Sequence, residues 1–97
     1  MVDRTQAQID KYRAQMDEWK AQLDQLKAKA DKVHAAKRIE YDKKTNELEL
    51  KYVALKDKVN QMESAAGEAR EKLGRGVEKA FDDLSKALSE AIKGFRK

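Results

Sequence analysis

Five consecutive seven-residue repeats fill residues 2–36 and constrain the fold more than any other feature of the sequence. Every repeat has Asp at its second position and Ala at its sixth, and the first and fourth positions are apolar apart from Thr5. Apolar residues at these two positions lie along one side of an α-helix, and another helix must cover them. The repeats therefore predict a coiled coil or a helical bundle.

The composition agrees with long helices in a single domain, residues 1–97. The chain has no proline and four glycines, and 41% of its residues are charged while 6% are aromatic. Proline and glycine end helices, so their scarcity favours long ones. Disorder would also suit this charge content, but disordered chains lack periodic apolar residues.

Several classes of protein are disfavoured by what the sequence omits. The chain has no cysteine, no apolar run of membrane-spanning length and no apolar signal-peptide core, so we expect a cytoplasmic protein. The net charge is +4, with +1 in residues 1–36, +1 in 37–66 and +2 in 67–97. Because both signs are interleaved along the chain, the charge pattern argues against a nucleic-acid-binding patch.

The apolar pattern changes phase after Val33, and two interpretations stay open there. Residues 37–46 are the least apolar part, and a second apolar seam begins at Leu48. One interpretation is a continuous helix with a locally relaxed supercoil. The other is a turn near residues 45–46, with Asn46 as N-cap and Glu49 completing a capping box.

The fold predicted from these patterns is all-α, with a long coiled-coil helix followed by a shorter amphipathic one. Gly74 and Gly76 together cost a helix up to roughly 2 kcal/mol, so we place the break at residues 74–76. The long helix then covers about residues 3–73 and the short one about 77–96. The apolar stripe of the short helix, expected to pack or to contact lipid, is Val77, Phe81, Leu84, Leu88, Ile92 and Phe95.

A single long helix cannot cover its own apolar seam, so a homo-oligomeric bundle is expected. The predicted oligomer interface consists of Ile9, Tyr12, Met16, Trp19, Leu23, Leu26, Val33, Leu48, Tyr52, Leu55, Val59, Met62 and Leu73. The expected partner is a second copy of the chain.

Catalytic and metal-binding motifs are missing from the sequence. His34 is the only histidine and lies beside the seam, without a second histidine or a cysteine to complete a metal site. Phosphate-binding glycine loops and nucleophile elbows are also missing. We expect a non-enzymatic protein without cofactor, metal or small-molecule substrate.

Three segments together resemble the small bacterial coiled-coil proteins of the stress-response type. They are EWKAQLDQLKAKADK at 18–32, KRIEY at 37–41 and GVEKAFDDLSKAL at 76–88. The resemblance implies a cytoplasmic, non-enzymatic protein linked to stress tolerance and supplies no catalytic or ligand residues. The C-terminal part is also similar to the eleven-residue repeats of exchangeable apolipoproteins, which bind lipid surfaces.

The sequence thus predicts a structural or interaction protein that self-associates, with a role in bacterial stress response. The alternative is peripheral binding to a membrane surface through residues 77–95. Non-specific nucleic-acid binding ranks below both of these hypotheses.

Overall fold

The computed structural model describes residues 4–95, which form three α-helices and no β-strand. Helix α1 spans Arg4–Ala30, α2 spans Ala35–Ser64 and α3 spans Gly67–Phe95. The all-α class is confirmed, but the long-plus-short arrangement is not what the structure shows. The predicted helix limits at residues 3 and 96 lie outside the described residues.

The predicted helix over residues 3–73 is interrupted first at residues 31–34. The backbone N–H groups of Asp31, Lys32 and Val33 donate to carbonyls of the last turn of α1 at 3.2, 3.1 and 3.4 Å. His34 then adopts an extended backbone, and its carbonyl accepts the first hydrogen bonds of α2. The turn lies where the heptad phase changes, so α1 ends where its seam can no longer continue on the same side. Residues 37–46 lie inside α2, so the helix is continuous through this segment, and the alternative interpretation of a turn near residues 45–46 was wrong.

The second interruption lies at residues 65–66, and the predicted break at residues 74–76 was wrong. Gly67 has φ +62°, a backbone conformation that residues with a side chain rarely adopt, so it suits the end of the α2–α3 reversal, where α3 begins. Gly74 lies inside α3, where an added Cβ would meet the Met62 methyl at 3.4 Å. This is an ordinary van der Waals distance, so the contact does not require glycine. The helix continues through Gly74 because the packing of α3 on α2 outweighs the low helix propensity of glycine.

The three helices run up, down and up in a bundle whose Cα atoms extend over 53 × 20 × 17 Å. A single helix over residues 3–73 would have been about 105 Å long. Helix α2 is the central element, because α1 and α3 each pack mainly on it and less on one another. The core lies between the helices and contains Ile9, Met16, Trp19, Leu23, Leu26, Leu48, Leu55, Val59, Met62, Val77, Leu84, Leu88, Ala91 and Phe95.

The C-terminal amphipathic stripe belongs to this core. Val77, Leu84, Leu88 and Phe95 are buried, and Phe81 and Ile92 are partly buried against them. The stripe therefore packs within the chain when the bundle is closed. Among the described residues, no helix combines the length and apolar character needed to cross a membrane.

Candidate functional site

The residues predicted to form an interface between chains are placed by the structure inside one chain. Nine of them are buried in the core: Ile9, Met16, Trp19, Leu23, Leu26, Leu48, Leu55, Val59 and Met62. Tyr12, Tyr52 and Leu73 pack against that core and are partly buried, while Val33 lies half-buried in the α1–α2 turn. The seam is thus covered by the chain's own helices and does not require a second copy.

Aromatic rings close the bundle along the side where α1 meets α3. The ring of Phe81 lies 5.0 Å from Tyr12 and 4.5 Å from Trp19, centroid to centroid, in tilted arrangements. At the end of α3, Phe95 stacks on Tyr41 of α2 at 4.0 Å. Such pairs contribute about 0.5–1.5 kcal/mol beyond their burial. These aromatic rings therefore pack within one chain, whereas Tyr12 and Trp19 had been assigned to an interface between chains.

Burial also affects the two tyrosines that border the core. The pKa of Tyr12 is raised above its usual value by burial and by the carboxylate of Glu78. The pKa of Tyr52 is raised by burial and by the carboxylates of Asp17 and Asp24. Both phenols therefore stay protonated at neutral pH and are not available as bases.

Exposed ion pairs connect α2 with its two neighbours. Lys27 of α1 pairs with Glu49 of α2 at 2.8 Å, and Lys51 of α2 pairs with Asp83 of α3 at 2.7 Å. The hydrogen bond and the charge of Lys51 lower the pKa of Asp83. Exposed pairs of this kind are screened by water and add little to stability, so they orient the helices more than they stabilise them.

Helix α2 carries apolar side chains on the side that faces away from the core. Ile39, Leu50 and Val53 have 76, 71 and 56% of their surface exposed. At about 100° per residue they lie roughly opposite Leu48 and Leu55, which face the core. Leu50 and Val53 are neighbours one turn apart, and we call them, with the exposed Ala54, the α2 outer patch.

The sequence analysis did not identify the α2 outer patch. The prediction followed the two apolar seams, and the second seam passes from Leu48 to Tyr52 and Leu55. Leu50 and Val53 have the spacing of a helical pair and belong to neither seam. This pair, which neither seam explains, is the sequence feature that could have indicated the patch.

The charge of the chain is also less even than the sequence analysis concluded. Residues 27–44 carry seven basic and three acidic side chains, and the rest of the chain carries fifteen of each sign. When the net charge is summed separately over residues 1–36 and 37–66, this segment is divided between the two sums, and its excess of positive charge is not visible. The fold gathers it at one end of the bundle, formed by the end of α1, the turn and the start of α2. We call this region the basic end.

The surface of the bundle also has shallow depressions. One of about 560 Å³ is an open groove near the α2–α3 turn, bordered by Tyr12, Arg70 and Arg75 among others. Arg70 donates hydrogen bonds to the carbonyls of Met62 and Glu63, at 3.3 and 3.2 Å, and so caps α2. Between residues 4 and 95, no three His, Cys, Asp or Glu side chains converge as metal ligands.

Comparison with known proteins gives no family for this three-helix bundle. No family model, curated protein or solved structure matches the chain. The resemblance to coiled-coil stress-response proteins stays a prediction.

Proposed function

We propose that the chain is a non-enzymatic interaction protein that pairs with a second copy of itself through the α2 outer patch. The observation that carries the proposal is the exposure of Leu50 and Val53, at 71 and 56%, on a helix whose other side is fully used by the core. An apolar pair exposed in this way gains free energy when it is covered, by about 25 cal/mol per Å².

A second copy fits this patch because the patch is self-complementary about a twofold axis. When two α2 helices cross antiparallel between residues 50 and 53, Leu50 of each copy meets Val53 of the other. The same crossing brings Glu47 of each copy beside Lys58 of the other, on the same flank of the helix pair. Within the described residues, Glu47 and Lys58 take part in no ion pair, so both are available.

The pairing that we propose is weak. A stable dimer buries about 800 Å² per partner, and a patch of two large side chains with its charged rim is smaller. We expect a dissociation constant on the order of 0.1 mM, in the range of transient contacts. The interaction therefore responds to local concentration and does not hold the fold together.

Sedimentation velocity over a dilution series, from about 0.01 to about 1 mM, tests the proposal. The wild type should shift from monomer to dimer, and Leu50→Glu/Val53→Glu should remain monomeric. Ile39→Ser is the matched control, because Ile39 is exposed on the same helix about 16 Å from Leu50. A wild type that is monomeric throughout, or an L50E/V53E variant that still dimerises, contradicts the proposal.

A charge exchange tests the orientation of the pair. Glu47→Lys and Lys58→Glu should each weaken dimerisation, because each places like charges on the flank of the crossing. An equimolar mixture of the two variants should dimerise again, because the mixed pair restores opposite charges at both contacts. Failure of the mixture, with both variants folded by circular dichroism, would exclude the antiparallel arrangement.

The alternative function, lipid binding through residues 77–95, has a different requirement. Most of the stripe is buried, so α3 must separate from α1 and α2 before the stripe can reach a membrane. The short contact between α1 and α3, which centres on Phe81, supports this alternative as the place where such opening would begin. Tyr12→Asp disrupts the contact with Phe81 and leaves the stripe unchanged. It should then increase the amount of protein bound to neutral vesicles, whereas no binding by either form would rule the mechanism out.

The extension of the proposal to stress tolerance is supported by the sequence resemblance in residues 18–32, 37–41 and 76–88. A cytoplasmic protein whose pairing depends on concentration would act when its level rises. Survival of a deletion strain under stress, complemented with wild type or L50E/V53E, tests this extension. If the two forms complemented the deletion equally well, the role in stress tolerance would not depend on pairing.

A further inference from the structure

We propose that the basic end of the bundle is a docking surface for an anionic lipid bilayer. Residues 27–44 hold the whole net charge of the chain, +4, although they are less than a fifth of its length. Some of the basic side chains there are paired with carboxylates and others are not. Arg38 pairs with Asp31 and Asp42, and Lys27 pairs with Glu49. Within the described residues, Lys29, Lys32, Lys37 and Lys43 are exposed and form no ion pair.

The geometry of the basic end fits a flat surface better than a groove or a cavity. The end is the tip of the α1–α2 hairpin, where lysines project from the last turn of α1, the connecting turn and the first turns of α2. When the bundle stands on this tip, these lysines reach the headgroup layer together. Each lysine near an anionic bilayer contributes about a fivefold gain in affinity.

Apolar side chains among the lysines favour lipid over other polyanions. Ile39 is 76% exposed and lies one helical turn from Lys43, and Val33 is half-buried in the turn itself. Ile39 is about 6 Å along α2 from its first residue, which matches the depth of about 5–10 Å at which apolar groups enter the headgroup boundary. A nucleic acid would provide phosphates for the lysines, but it has no apolar layer in which the side chain of Ile39 could be buried.

This surface is separate from the one that carries self-association. Leu50 lies about 16 Å farther along α2 than Ile39, so the α2 outer patch stays open when the basic end is on a membrane. The basic end also needs no separation of α3, since its unpaired lysines and Ile39 are exposed in the closed bundle. L50E/V53E should therefore bind vesicles as the wild type does, so that failure of one proposal does not imply failure of the other.

Co-sedimentation of the full chain with phosphatidylcholine vesicles containing about 30% phosphatidylserine tests the proposal. The wild type should bind these vesicles, bind pure phosphatidylcholine at least tenfold less, and release as salt rises to about 0.5 M. Lys32→Glu/Lys37→Glu should lower the affinity about 30-fold or more. The matched control is Lys11→Glu/Lys72→Glu, which makes the same change of charge at the opposite end of the bundle and should stay within about twofold of wild type.

Two further measurements decide the nature of the surface. Ile39→Ser should lower vesicle affinity several-fold and leave any binding to a short DNA duplex unchanged, with all variants checked by circular dichroism. The proposal is overturned if the wild type does not bind anionic vesicles, or if K11E/K72E loses as much affinity as K32E/K37E. It is also overturned if I39S binds vesicles like the wild type while DNA binds equally well, because the surface is then a general polyanion site.

Discussion

Individual glycines in this chain meet opposite backbone requirements. Gly76 lies inside α3, and nothing within 4 Å would contact an added Cβ. Gly67 also has open space around it, but its φ is +62°. The effect of adding a methyl group therefore depends on backbone conformation at Gly67 and on helix propensity at Gly76.

Gly76→Ala should raise the free energy of unfolding by about 0.5–1 kcal/mol, because alanine restricts the unfolded chain and suits a helix interior. Gly67→Ala should lower it by about 1 kcal/mol, because the left-handed conformation is strained for alanine. Urea denaturation of both variants measures the difference. A stabilising Gly67→Ala would contradict the conformation assigned to the α2–α3 turn.

Two leucines on opposite sides of α2 offer a second comparison at this scale. Leu55 is fully buried, whereas Leu50 is 71% exposed. Leu55→Ala should cost about 2–4 kcal/mol of stability, since it removes buried methyl groups and leaves a cavity. Leu50→Ala should change stability by less than about 0.5 kcal/mol at concentrations where the chain is monomeric. Equal losses in thermal or urea denaturation would mean that α2 is rotated from the orientation described.

At the scale of the helices, the sequence predicted the features that depend on one helix alone and missed those that depend on contacts between helices. The periodicity of α1 and the stripe of α3 identified the core faces correctly, because those faces depend on positions within one helix. The turns at 31–34 and 65–66 depend on where two helices can pack on each other, and local glycine content pointed elsewhere. Gly74 is an example. It lies next to Met62 only because the chain reverses between these two residues, and that packing is not visible in the local sequence.

The same limit applies to the candidate surfaces. The seam residues were assigned to contacts between chains, because sequence alone does not show that α2 returns along α1. Leu50 and Val53 could have been noticed as an apolar pair outside both seams. The basic end could not be recognised as one surface until residues 27–44 were known to fold as a hairpin tip.

The contact between α2 and α3 makes a prediction that depends on pH. The ion pair with Lys51 lowers the pKa of Asp83, so this contact stabilises the fold above the ordinary aspartate pKa of about 3.9 and is lost as pH falls through the lowered value. Lys51→Met should raise the pKa of Asp83 towards its usual range, as followed by NMR titration of the carboxyl carbon. Lys86→Met is the control and should have a smaller effect, since Lys86 acts on Asp83 only through its charge. An unchanged Asp83 titration in K51M would exclude the pair in solution.

At the scale of the whole molecule, the chain buries the apolar residues of its repeats between its own helices. Two surfaces stay exposed, the α2 outer patch and the basic end. The core uses one side of each helix, so the outer side of α2 and the basic end are not constrained by folding. The two functions that we propose depend on small features of the exterior, a pair of apolar side chains and an excess of lysines. Both proposals need the closed bundle as their platform.

Small-angle X-ray scattering, extrapolated to zero concentration, tests most directly whether that closed bundle exists. A three-helix bundle has a Cα radius of gyration of 15.5 Å, so the account predicts a measured value of about 16–17 Å once hydration is included. One helix over residues 3–73 would be a rod about 105 Å long, with a radius of gyration of about 30 Å. A value near 30 Å at infinite dilution would show that the seam is not covered within one chain and would contradict the account.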